Sequence, residues 1–211
     1  MKKAREKRRQ LLLKHDFSFL DQGYLSLAGV DEAGRGPWAG PVVASAVIVR
    51  DFSFKAHVDD SKAMTAEARE EAFSEIFEKC IVGTAIIEHA AVDEMNIFRA
   101  SMMAMKMAVE KLSQAPDCIL VDGPKRPDIA MKCIPIVEGD SASFSIACAS
   151  VVAKVTRDRI MREYHEKYPE YGFQKHKGYG TEEHWNALQK FGPCPIHRRS
   201  FGPVRMVSGL N

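Results

Sequence analysis

The stretch from Gly29 to Val49, GVDEAGRGPWAGPVVASAVIV, limits the possible folds more than any other part of the chain. Its paired glycines and Ala39 match the Gly-x-Gly-x-x-Ala pattern of a dinucleotide-binding loop, and Asp51 follows where that motif places its ribose-binding acid. The motif requires a helix directly after the glycines, with the pyrophosphate at the helix N-terminus. Here Pro37 and Pro41 interrupt any helix, and the β-branched residues that follow favour a strand. We therefore expect two strands joined by a loop, which disfavours a dinucleotide-dependent oxidoreductase.

The rest of the chain alternates short apolar runs with helical patterns. The apolar runs predict strands at Leu27–Asp31, Val42–Val49, Ile81–Ile87, Cys118–Val121 and Ile134–Val137. Helical spacing predicts helices over residues 65–79, Asn96–Leu112 and Ser143–Lys167, and a further helix that Thr181 caps. Three strands close together, followed by helix, strand, strand and helix, predict an α/β fold with a mixed sheet. An antiparallel meander comes first, and crossovers join the later strands.

Four acidic residues lie where predicted strands end. Asp31 and Glu32 end the first strand, Asp122 ends the fourth, and Asp140 follows the fifth and begins a helix. Strands that run parallel place these ends at one edge of the sheet, which is where open α/β sheets hold their sites. Because neighbouring strand residues point to opposite faces, Asp31 and Glu32 are expected to converge only if the strand ends between them.

These acids are suited to a metal site. Clustered carboxylates repel one another and persist mainly where a cation compensates them. An all-oxygen set without Cys or His suits Mg²⁺ or Mn²⁺ and not zinc, and two such ions can activate a water against a phosphate. Each acid also has a structural explanation, namely a solvated Asp31-Glu32 pair, a turn at Asp122 or a helix cap at Asp140. The strand-end position that all four share favours the metal site.

Composition and charge narrow the class of protein. Residues 1–14 carry seven Lys or Arg and one Glu, and are expected either to strengthen phosphate binding or to form a solvated helical tail. No apolar run reaches membrane-spanning length, and Leu11–Leu13 is too short for a secretory signal, so we expect a cytoplasmic protein. The five cysteines are scattered without zinc-ligand spacing and are expected to be buried reduced thiols.

Six motifs carry a family resemblance. They are GVDEAGRGPWAGPVVASAVI (29–48), DDSK (59–62), VDGP (121–124), EGDSASFSIACASVVAKVTRD (138–158), YPEYGFQKHKGYGT (168–181) and HRRSF (197–201). In order and spacing these motifs resemble those of ribonuclease HII, the type 2 ribonuclease H family. The resemblance implies a ribonuclease H-like fold, with a five-stranded mixed sheet, flanking helices and additional C-terminal helices. It also divides the chain into a basic N-terminal extension, residues 1–26, and a catalytic domain, residues 27–211.

The resemblance implies an endoribonuclease with a defined reaction. Such an enzyme hydrolyses the RNA strand of RNA–DNA hybrids. It also nicks 5′ of single ribonucleotides in duplex DNA, by two-metal-ion hydrolysis that leaves 5′-phosphate and 3′-hydroxyl ends. The implied cofactor is Mg²⁺ or Mn²⁺, and the implied partners are RNA–DNA hybrid and ribonucleotide-containing duplex DNA. A monomer that binds no membrane is expected.

The resemblance assigns site residues by position. Metal binding and catalysis fall to Asp31, Glu32, Asp122 and Asp140. Substrate binding falls first to Gly34, Arg35 and Gly36, whose backbone would meet the ribonucleotide 2′-hydroxyl and flanking phosphate. Tyr179 would pack on the sugar at the junction, and Lys62 would contact a phosphate. Ala63 stands where the family often has a second lysine, which puts one phosphate contact in doubt.

Two other classes of protein are disfavoured. A nucleic-acid-binding module without catalysis is the second hypothesis, and the four acids disfavour it because carboxylates repel phosphate unless a metal is present. The sibling family, ribonuclease HIII, lacks the Gly-Arg-Gly and Tyr arrangement.

The histidines at positions 176, 184 and 197 are expected to be ordinary residues at the solvent edge, with no catalytic role.

Overall fold

The computed structural model describes residues 2–209, so residues 1, 210 and 211 of the predicted domains lie outside the described residues. One sheet contains β1 (Leu27–Ala33), β2 (Val42–Val49), β3 (Cys80–Ile87), β4 (Cys118–Asp122) and β5 (Lys132–Ile136), in the order β3-β2-β1-β4-β5. The helices are α1 (Lys2–Leu20), α2 (Ala66–Lys79), α3 (His89–Met95), α4 (Ile97–Glu110), α5 (Phe144–Lys167), α6 (Phe173–His176), α7 (Glu182–Phe191) and α8 (Gly202–Val207). Within this range, no helix has the length and apolar character needed to cross a membrane. The expected five-stranded mixed sheet with flanking and C-terminal helices is confirmed.

The sheet combines both strand directions as expected. Strand β2 pairs antiparallel with β1 and with β3, whereas β4 runs parallel to both β1 and β5. The first strand is longer than predicted, because β1 continues through Asp31 and Glu32 to Ala33, which faces Val43 of β2. The two acids therefore lie within a paired strand and not beyond its end, so their side chains keep the alternation of a strand.

Helix α5 lies against the centre of the sheet and is the most buried helix of the fold. It packs on β1 at Gly29, where a Cβ atom would collide with the backbone of Ser145 and Ile146. A glycine is needed there because the helix backbone and the strand backbone are in direct contact. Helix α4 covers the opposite face, and Gly83 of β3 is in the same position against the carbonyl oxygen of Ala108. Helices α5 and α4 thus cover the two faces of the central strands with apolar side chains.

The Met-rich helix predicted over Asn96–Leu112 is confirmed as α4, and a short helix that was not predicted, α3, comes directly before it. Helix α3 ends before Asn96, which has a positive φ of 71° with a ψ of 160°. The Asn96 side chain accepts a hydrogen bond of 3.1 Å from the Arg99 N–H and so caps α4. Asn is one of the few residues that adopt this conformation and also cap helices well. The break is therefore encoded at one residue.

The N-terminal segment is a packed helix and not a solvated tail. Leu12 is fully buried, and Asp16 is 1% exposed. The Asp16 carboxylate accepts hydrogen bonds from the Ser143 hydroxyl at 2.6 Å and from the Ser145 N–H at 2.7 Å. These two donors lie at the N-terminus of α5, where a negative charge is favourable because the first N–H groups of a helix lack intrahelical partners. Helix α1 therefore stabilises the start of α5.

Candidate active site

Three aspartates converge at the carboxyl edge of the sheet. Asp31, Asp122 and Asp140 each offer a carboxylate oxygen, and these oxygens lie within 4.8 Å of one another. Asp31 is carried by β1 and Asp122 by the end of the parallel strand β4, so the shared edge follows from the strand direction. Asp140 comes from the turn after β5. The parallel arrangement predicted from the sequence thus brings these three acids together.

A short turn places Asp140 in the cluster. Gly139–Ser141 form one 3-10 turn, preceded by Glu138 in a left-handed conformation with a φ of 55°. The Gly139 N–H donates a 2.7 Å hydrogen bond to Asp122 Oδ1, which ties the turn to the end of β4. The helix that Asp140 was expected to begin is only this 3-10 turn. The long helix α5 starts near Ser143 as predicted, and the Ser143 side chain caps it by accepting from the Ile146 N–H. The Asp140 carboxylate is therefore free of a capping role.

The acid cluster carries a large electrostatic cost. Burial raises the pKa of Asp31 well above its usual value, and the nearby charges of Glu32 and Asp122 add to this effect. Burial and the charge of Asp140 also raise the pKa of Asp122, although the Gly139 N–H opposes the change. Desolvation and like charge both disfavour the ionised form of a carboxyl group. The three acids are consequently arranged for a partner of positive charge.

Glu32 lies beside the three aspartates but is not one of the group that shares the 4.8 Å spacing among the described residues. Its Oε1 is 3.5 Å from Arg35 Nη1. Burial raises the pKa of Glu32 to about 7, with a further contribution from Asp122, whereas Arg35 lowers it. Glu32 raises the pKa of Asp31 through its charge, so it lies close to the cluster although strand alternation directs the two side chains differently. The predicted convergence of all four acids is realised for three, with Glu32 adjacent.

Lys62 supplies a cation to this cluster. It belongs to the DDSK turn, and its Nζ lies 3.0 Å from Asp140 Oδ2 and 3.9 Å from Asp60 Oδ1. Burial lowers the pKa of Lys62, but the hydrogen bond to Asp140 and the surrounding acids outweigh burial and raise it overall. The sequence predicted a phosphate contact at this position, and the structure places the residue at the rim of the acid cluster.

The loop between β1 and β2 carries the Gly34-Arg35-Gly36 sequence. Gly34 has a φ of 105°, and a Cβ atom there would collide with the Arg157 side chain and the Pro41 carbonyl oxygen. Only glycine fits these two requirements at once. Gly36 differs, because a methyl group there would lie 3.6 Å from Tyr179 Cε1, which is ordinary van der Waals contact. The two glycines therefore have separate physical roles.

Tyr179 lies beside this loop, next to Gly36. Its side chain is 43% exposed, and the Arg157 guanidinium lies 5.9 Å from its ring centroid. The flanking Gly180 is held against Trp38, since a Cβ atom there would collide with the indole ring. The backbone N–H of Trp38 also donates a 2.8 Å hydrogen bond to the Gly178 carbonyl oxygen. The structure thus brings Gly36 and Tyr179 together.

The three histidines form a buried cluster, so the expectation of solvent-edge residues is wrong. His184 is 0% exposed, His197 2% and His176 9%. His184 Nδ1 lies 2.9 Å from the Tyr179 carbonyl oxygen, and its Nε2 lies 3.0 Å from His197 Nε2. A carbonyl only accepts, so His184 Nδ1 carries the proton and its Nε2 accepts from His197. The cluster therefore holds the Tyr179 backbone from beneath.

These hydrogen bonds require neutral rings. Burial lowers the pKa of His184 to about 4 and that of His197 to about 3, and the neighbouring histidines lower both further. His197 Nδ1 accepts a 3.0 Å hydrogen bond from the Cys194 N–H, which is consistent with a proton on Nε2 alone. Loops that approach from different parts of the chain bury these rings, and the local sequence pattern does not reveal such burial.

The cysteines behave as expected for reduced thiols. All five are free, and four of them are buried, at positions 118, 133, 148 and 194. Cys80 is half-buried. Cys148 lies in the buried face of α5 with no exposure.

Comparison with known proteins identifies the relatives of this chain. The family model for ribonuclease HII matches residues 28–204. A ribonuclease HII from Ruminiclostridium cellulolyticum is 49% identical over 195 residues, which cover 92% of this chain and 76% of that protein. One from Clostridioides difficile is 52% identical over 182 residues, which cover 86% of this chain and 71% of that protein. The crystal structure of ribonuclease H2 from Pyrococcus horikoshii OT3 has a TM-score of 0.73 at 26% identity, and the match covers 88% of this chain and 98% of that one.

A mixed five-stranded sheet with an aspartate cluster at one edge defines an α/β nuclease with the ribonuclease H-like fold. Within that class, the chain belongs to the ribonuclease HII family. It is an endoribonuclease that acts on RNA–DNA hybrids and needs a divalent metal. Family membership rules out both the dinucleotide-dependent oxidoreductase and the binding module without catalysis.

Proposed function

We propose that this enzyme also nicks duplex DNA on the 5′ side of a single embedded ribonucleotide, leaving a 5′-phosphate and a 3′-hydroxyl. In this proposal Asp31, Glu32, Asp122 and Asp140 are the catalytic acids and hold two Mg²⁺ or Mn²⁺ ions. The observation that carries the proposal is the pairing of the exposed Tyr179 ring with Gly36, in the loop that directly follows the acids of β1. A surface formed by an aromatic ring and this loop can contact a single sugar next to the bond that is cleaved.

The acid cluster is a suitable site for hard divalent cations. Its three aspartates offer only oxygen ligands within 4.8 Å of one another, and burial raises the pKa of Asp31 well above normal. Oxygen donors with uncompensated charge are the set that Mg²⁺ and Mn²⁺ favour. When bound, the cations supply a more acidic water for attack on the phosphate and stabilise the oxygen that leaves. Glu32 would complete the ligand set from the neighbouring position.

The residues around the acids would bind and orient the substrate. Lys62 adds a positive charge at the rim of the cluster, where it can attract the phosphate backbone. The exposed loop at Arg35 and Gly36 offers backbone N–H groups, and the Tyr179 ring offers an apolar surface for the sugar. The 2′-hydroxyl is the group that distinguishes RNA from DNA at a given site. These features support recognition of one ribonucleotide in a fixed register.

Incubation with duplex DNA that contains one ribonucleotide tests this proposal. The labelled strand should be cut once, 5′ of the ribonucleotide, in Mg²⁺ or Mn²⁺ and not in EDTA. An all-DNA duplex of the same sequence is the matched control, and phosphatase treatment identifies the end group. Hydrolysis of a continuous RNA–DNA hybrid without any nick at the lone ribonucleotide would contradict the proposal.

The same enzyme preparation tests three further parts of the proposal. Titration with each ion separates a preference for Mg²⁺ from a preference for Mn²⁺. We expect a monomer, which sedimentation of the free protein would verify, and a cytoplasmic location, which fractionation of the source cells would verify.

A further inference from the structure

Arg198 is a buried charge whose side chain is saturated with backbone contacts. The residue is 0% exposed. Its guanidinium donates to five carbonyl oxygens of the loop between β1 and β2, those of Gly34 (2.7 Å), Arg35 (3.2 Å), Pro37 (2.8 Å), Gly40 (2.9 Å) and Pro41 (3.1 Å). A guanidinium has five N–H donors, so every donor has a partner. One side chain from a distant part of the sequence therefore organises the whole loop.

The buried charge has no acidic partner of its own. Within residues 2–209, no carboxylate oxygen lies within 4.0 Å of the Arg198 guanidinium. Burial lowers the pKa of Arg198 to about 9, with a further contribution from the charge of Arg157, and the side chain therefore stays protonated near neutral pH. Burial of a charge without an acidic partner is costly, and five carbonyl hydrogen bonds offset part of that cost. All of the hydrogen-bonding capacity of Arg198 is therefore directed at the loop.

The carbonyl contacts determine where two backbone N–H groups point. The Gly34 carbonyl shares a peptide group with the Arg35 N–H, and the Arg35 carbonyl shares one with the Gly36 N–H. No cis peptide bond occurs in the described chain, and the C=O and N–H of a trans peptide point in opposite directions. Both N–H groups therefore point away from Arg198. Both residues are exposed, and neither N–H donates to a backbone acceptor among the described residues.

We propose that Arg198 is a positioning residue for substrate recognition, which binds the carbonyl side of the 34–41 loop and so directs the Arg35 and Gly36 N–H groups at the substrate. The group they meet is the 2′-hydroxyl and flanking phosphate of the ribonucleotide, so this inference rests on the proposed function. The guanidinium also adds a fixed positive charge beneath these two amides. Preorganised donors of this kind need no rearrangement when the substrate binds.

Arg157 extends the same arrangement to the segment that carries Tyr179. It donates to the carbonyl oxygens of Ala39 at 3.0 Å and Pro41 at 2.9 Å, and to that of Lys177 at 3.0 Å. Lys177 lies two residues before Tyr179, so one guanidinium joins the loop to the tyrosine segment. The spacing between the amides and the Tyr179 ring is thereby fixed by two side chains that never touch the substrate.

The neighbouring Arg199 provides a matched control. Both residues belong to HRRSF, but Arg199 is exposed, and only its backbone N–H is held, by Asp93 at 2.7 Å. Arg198→Ala, Arg198→Lys and Arg199→Ala should be assayed on a continuous hybrid and on duplex DNA with one ribonucleotide. Misplacement of binding groups by about 1 Å can cost roughly a hundredfold. We expect a loss of about that size for Arg198→Ala on the single-ribonucleotide duplex and about tenfold on the hybrid.

Rescue separates positioning from general destabilisation. Millimolar guanidinium chloride should restore part of the Arg198→Ala activity, whereas equal concentrations of potassium chloride or urea should not. Arg198→Lys keeps the charge but provides fewer donors, so its activity should lie between those of wild type and Arg198→Ala, while Arg199→Ala should match wild type. If Arg198→Ala does not fold, as judged by circular dichroism, Arg198→Lys alone serves for the comparison of the two substrates. Equal fractional losses on both substrates would overturn the proposal.

A direct measurement on the amides distinguishes this inference from the proposed function. With cleavage abolished by Asp122→Asn, which also removes one of the charges that repel phosphate, the NMR signals of the Arg35 and Gly36 N–H groups should shift when hybrid binds. They should shift less when Arg198→Lys is added. A wild type that fails to nick the lone ribonucleotide would contradict the proposed function, and the amide signals on the hybrid would still decide the role of Arg198. Unchanged amide shifts in the variant would overturn that role.

Discussion

Lys62 holds its ammonium nitrogen 3.0 Å from Oδ2 of Asp140, although 78 residues separate the two in sequence. The lysine side chain is 75% exposed and the aspartate side chain 7%, so the pair lies where the acid cluster opens to solvent. A cation that enters the cluster competes with Lys62 for this carboxylate. The pair therefore links metal binding to the charge that faces the phosphate backbone.

Replacement of Lys62 by methionine should separate these two effects. We expect the half-saturating Mg²⁺ concentration to fall about twofold, because a competitor is removed, while KM for the hybrid rises about fivefold, because a contact worth up to about 1 kcal/mol is lost. Lys175→Met is the matched control, since Lys175 makes an exposed pair with Glu183 at the same distance of 3.0 Å. An unchanged Mg²⁺ requirement together with an unchanged KM would remove Lys62 from the site.

Replacement of Asp31 by asparagine should abolish cleavage and stabilise the metal-free protein. Burial raises the pKa of Asp31, so the ionised carboxylate costs stability in the folded state at neutral pH. Asparagine keeps an oxygen that can accept the 2.6 Å hydrogen bond from the Glu32 N–H. In EDTA we expect Tm to rise by about 2–4 °C, the change that about 1 kcal/mol produces in a chain of this size.

Added Mg²⁺ should reverse the order of thermal stability of wild type and Asp31→Asn. Wild type should gain stability on addition of Mg²⁺, whereas Asp31→Asn should gain little, and Asp122→Asn should resemble Asp31→Asn. Thermal melts with and without the ion measure both effects. Normal turnover of either variant in saturating Mg²⁺ would exclude the residue from the mechanism.

The two loop glycines should respond in opposite ways to alanine. At Gly34 the positive φ and the collisions with Arg157 and Pro41 predict a destabilised protein, by about 1–3 kcal/mol or more, with activity lost on all substrates. At Gly36 a methyl group would meet Tyr179 Cε1 at 3.6 Å, so the fold should survive. The added methyl group should leave less space for the sugar of the substrate. Denaturant melts and rates on both substrates test the pair. A Gly36→Ala enzyme with wild-type kinetics would place the sugar elsewhere.

Much of the architecture follows from sequence pattern alone. The run Cys118–Val121 ends in Asp-Gly-Pro, which marks a strand, its end and an acid at that end, and β4 has this form. A parallel neighbour then fixes which edge the acid occupies. The same reasoning failed for the length of β1, because backbone pairing with β2 extends beyond the acids as far as Ala33 and Val43. Strand ends depend on the partner strand, which the local sequence does not contain.

The supporting residues of the site were harder to predict. Arg198 and Arg199 are adjacent in sequence and chemically identical, and only tertiary packing makes one buried and the other exposed. His184 follows the Thr181 N-cap like any residue of a first helical turn, yet it lies under Tyr179. Asp16 lies in a basic segment that resembled a tail. In each case the interaction joins distant parts of the chain, so no local period or spacing signals it.

Stability should fall in mild acid because of the histidine cluster. The folded pKa values of His184 and His197, about 4 and about 3, lie below the ordinary value of 6.5. Unfolded rings therefore bind protons between about pH 6.5 and 4, where folded rings stay neutral, so this stability is complete above 6.5 and is lost as the pH falls. Each such proton contributes a slope of about 1.4 kcal/mol per pH unit.

The variant His197→Asn measures this contribution. Its stability at pH 8 gives the packing cost alone, and the change between pH 6.5 and 4.5 should be smaller than in wild type. Urea melts in EDTA at each pH provide both values and keep the metal from obscuring them. Parallel pH profiles for the two proteins would show that the ring does not stay neutral in the folded state.

The exposed ring of Tyr179 should matter more for a lone ribonucleotide than for a continuous hybrid. A lone ribonucleotide carries one 2′-hydroxyl, so the substrate must bind in a single register, with the sugar on the surface that the ring and the loop at Gly36 form together. Stacking of a base on an aromatic side chain is worth about 1–3 kcal/mol, and packing on a sugar should lie near the lower end. Tyr179→Ala should therefore lose about tenfold in kcat/KM, or about 1.4 kcal/mol, on the single-ribonucleotide duplex.

A hybrid offers many equivalent registers, so the same substitution should cost less there. Tyr179→Phe keeps the ring and should retain the selectivity of wild type, which separates the aromatic surface from the hydroxyl. Measurement of kcat/KM for wild type and both variants on the two substrates decides the point. Equal fractional losses of Tyr179→Ala on both substrates would make Tyr179 a general packing residue. Recognition of the junction would then depend on the Arg35 and Gly36 amides alone.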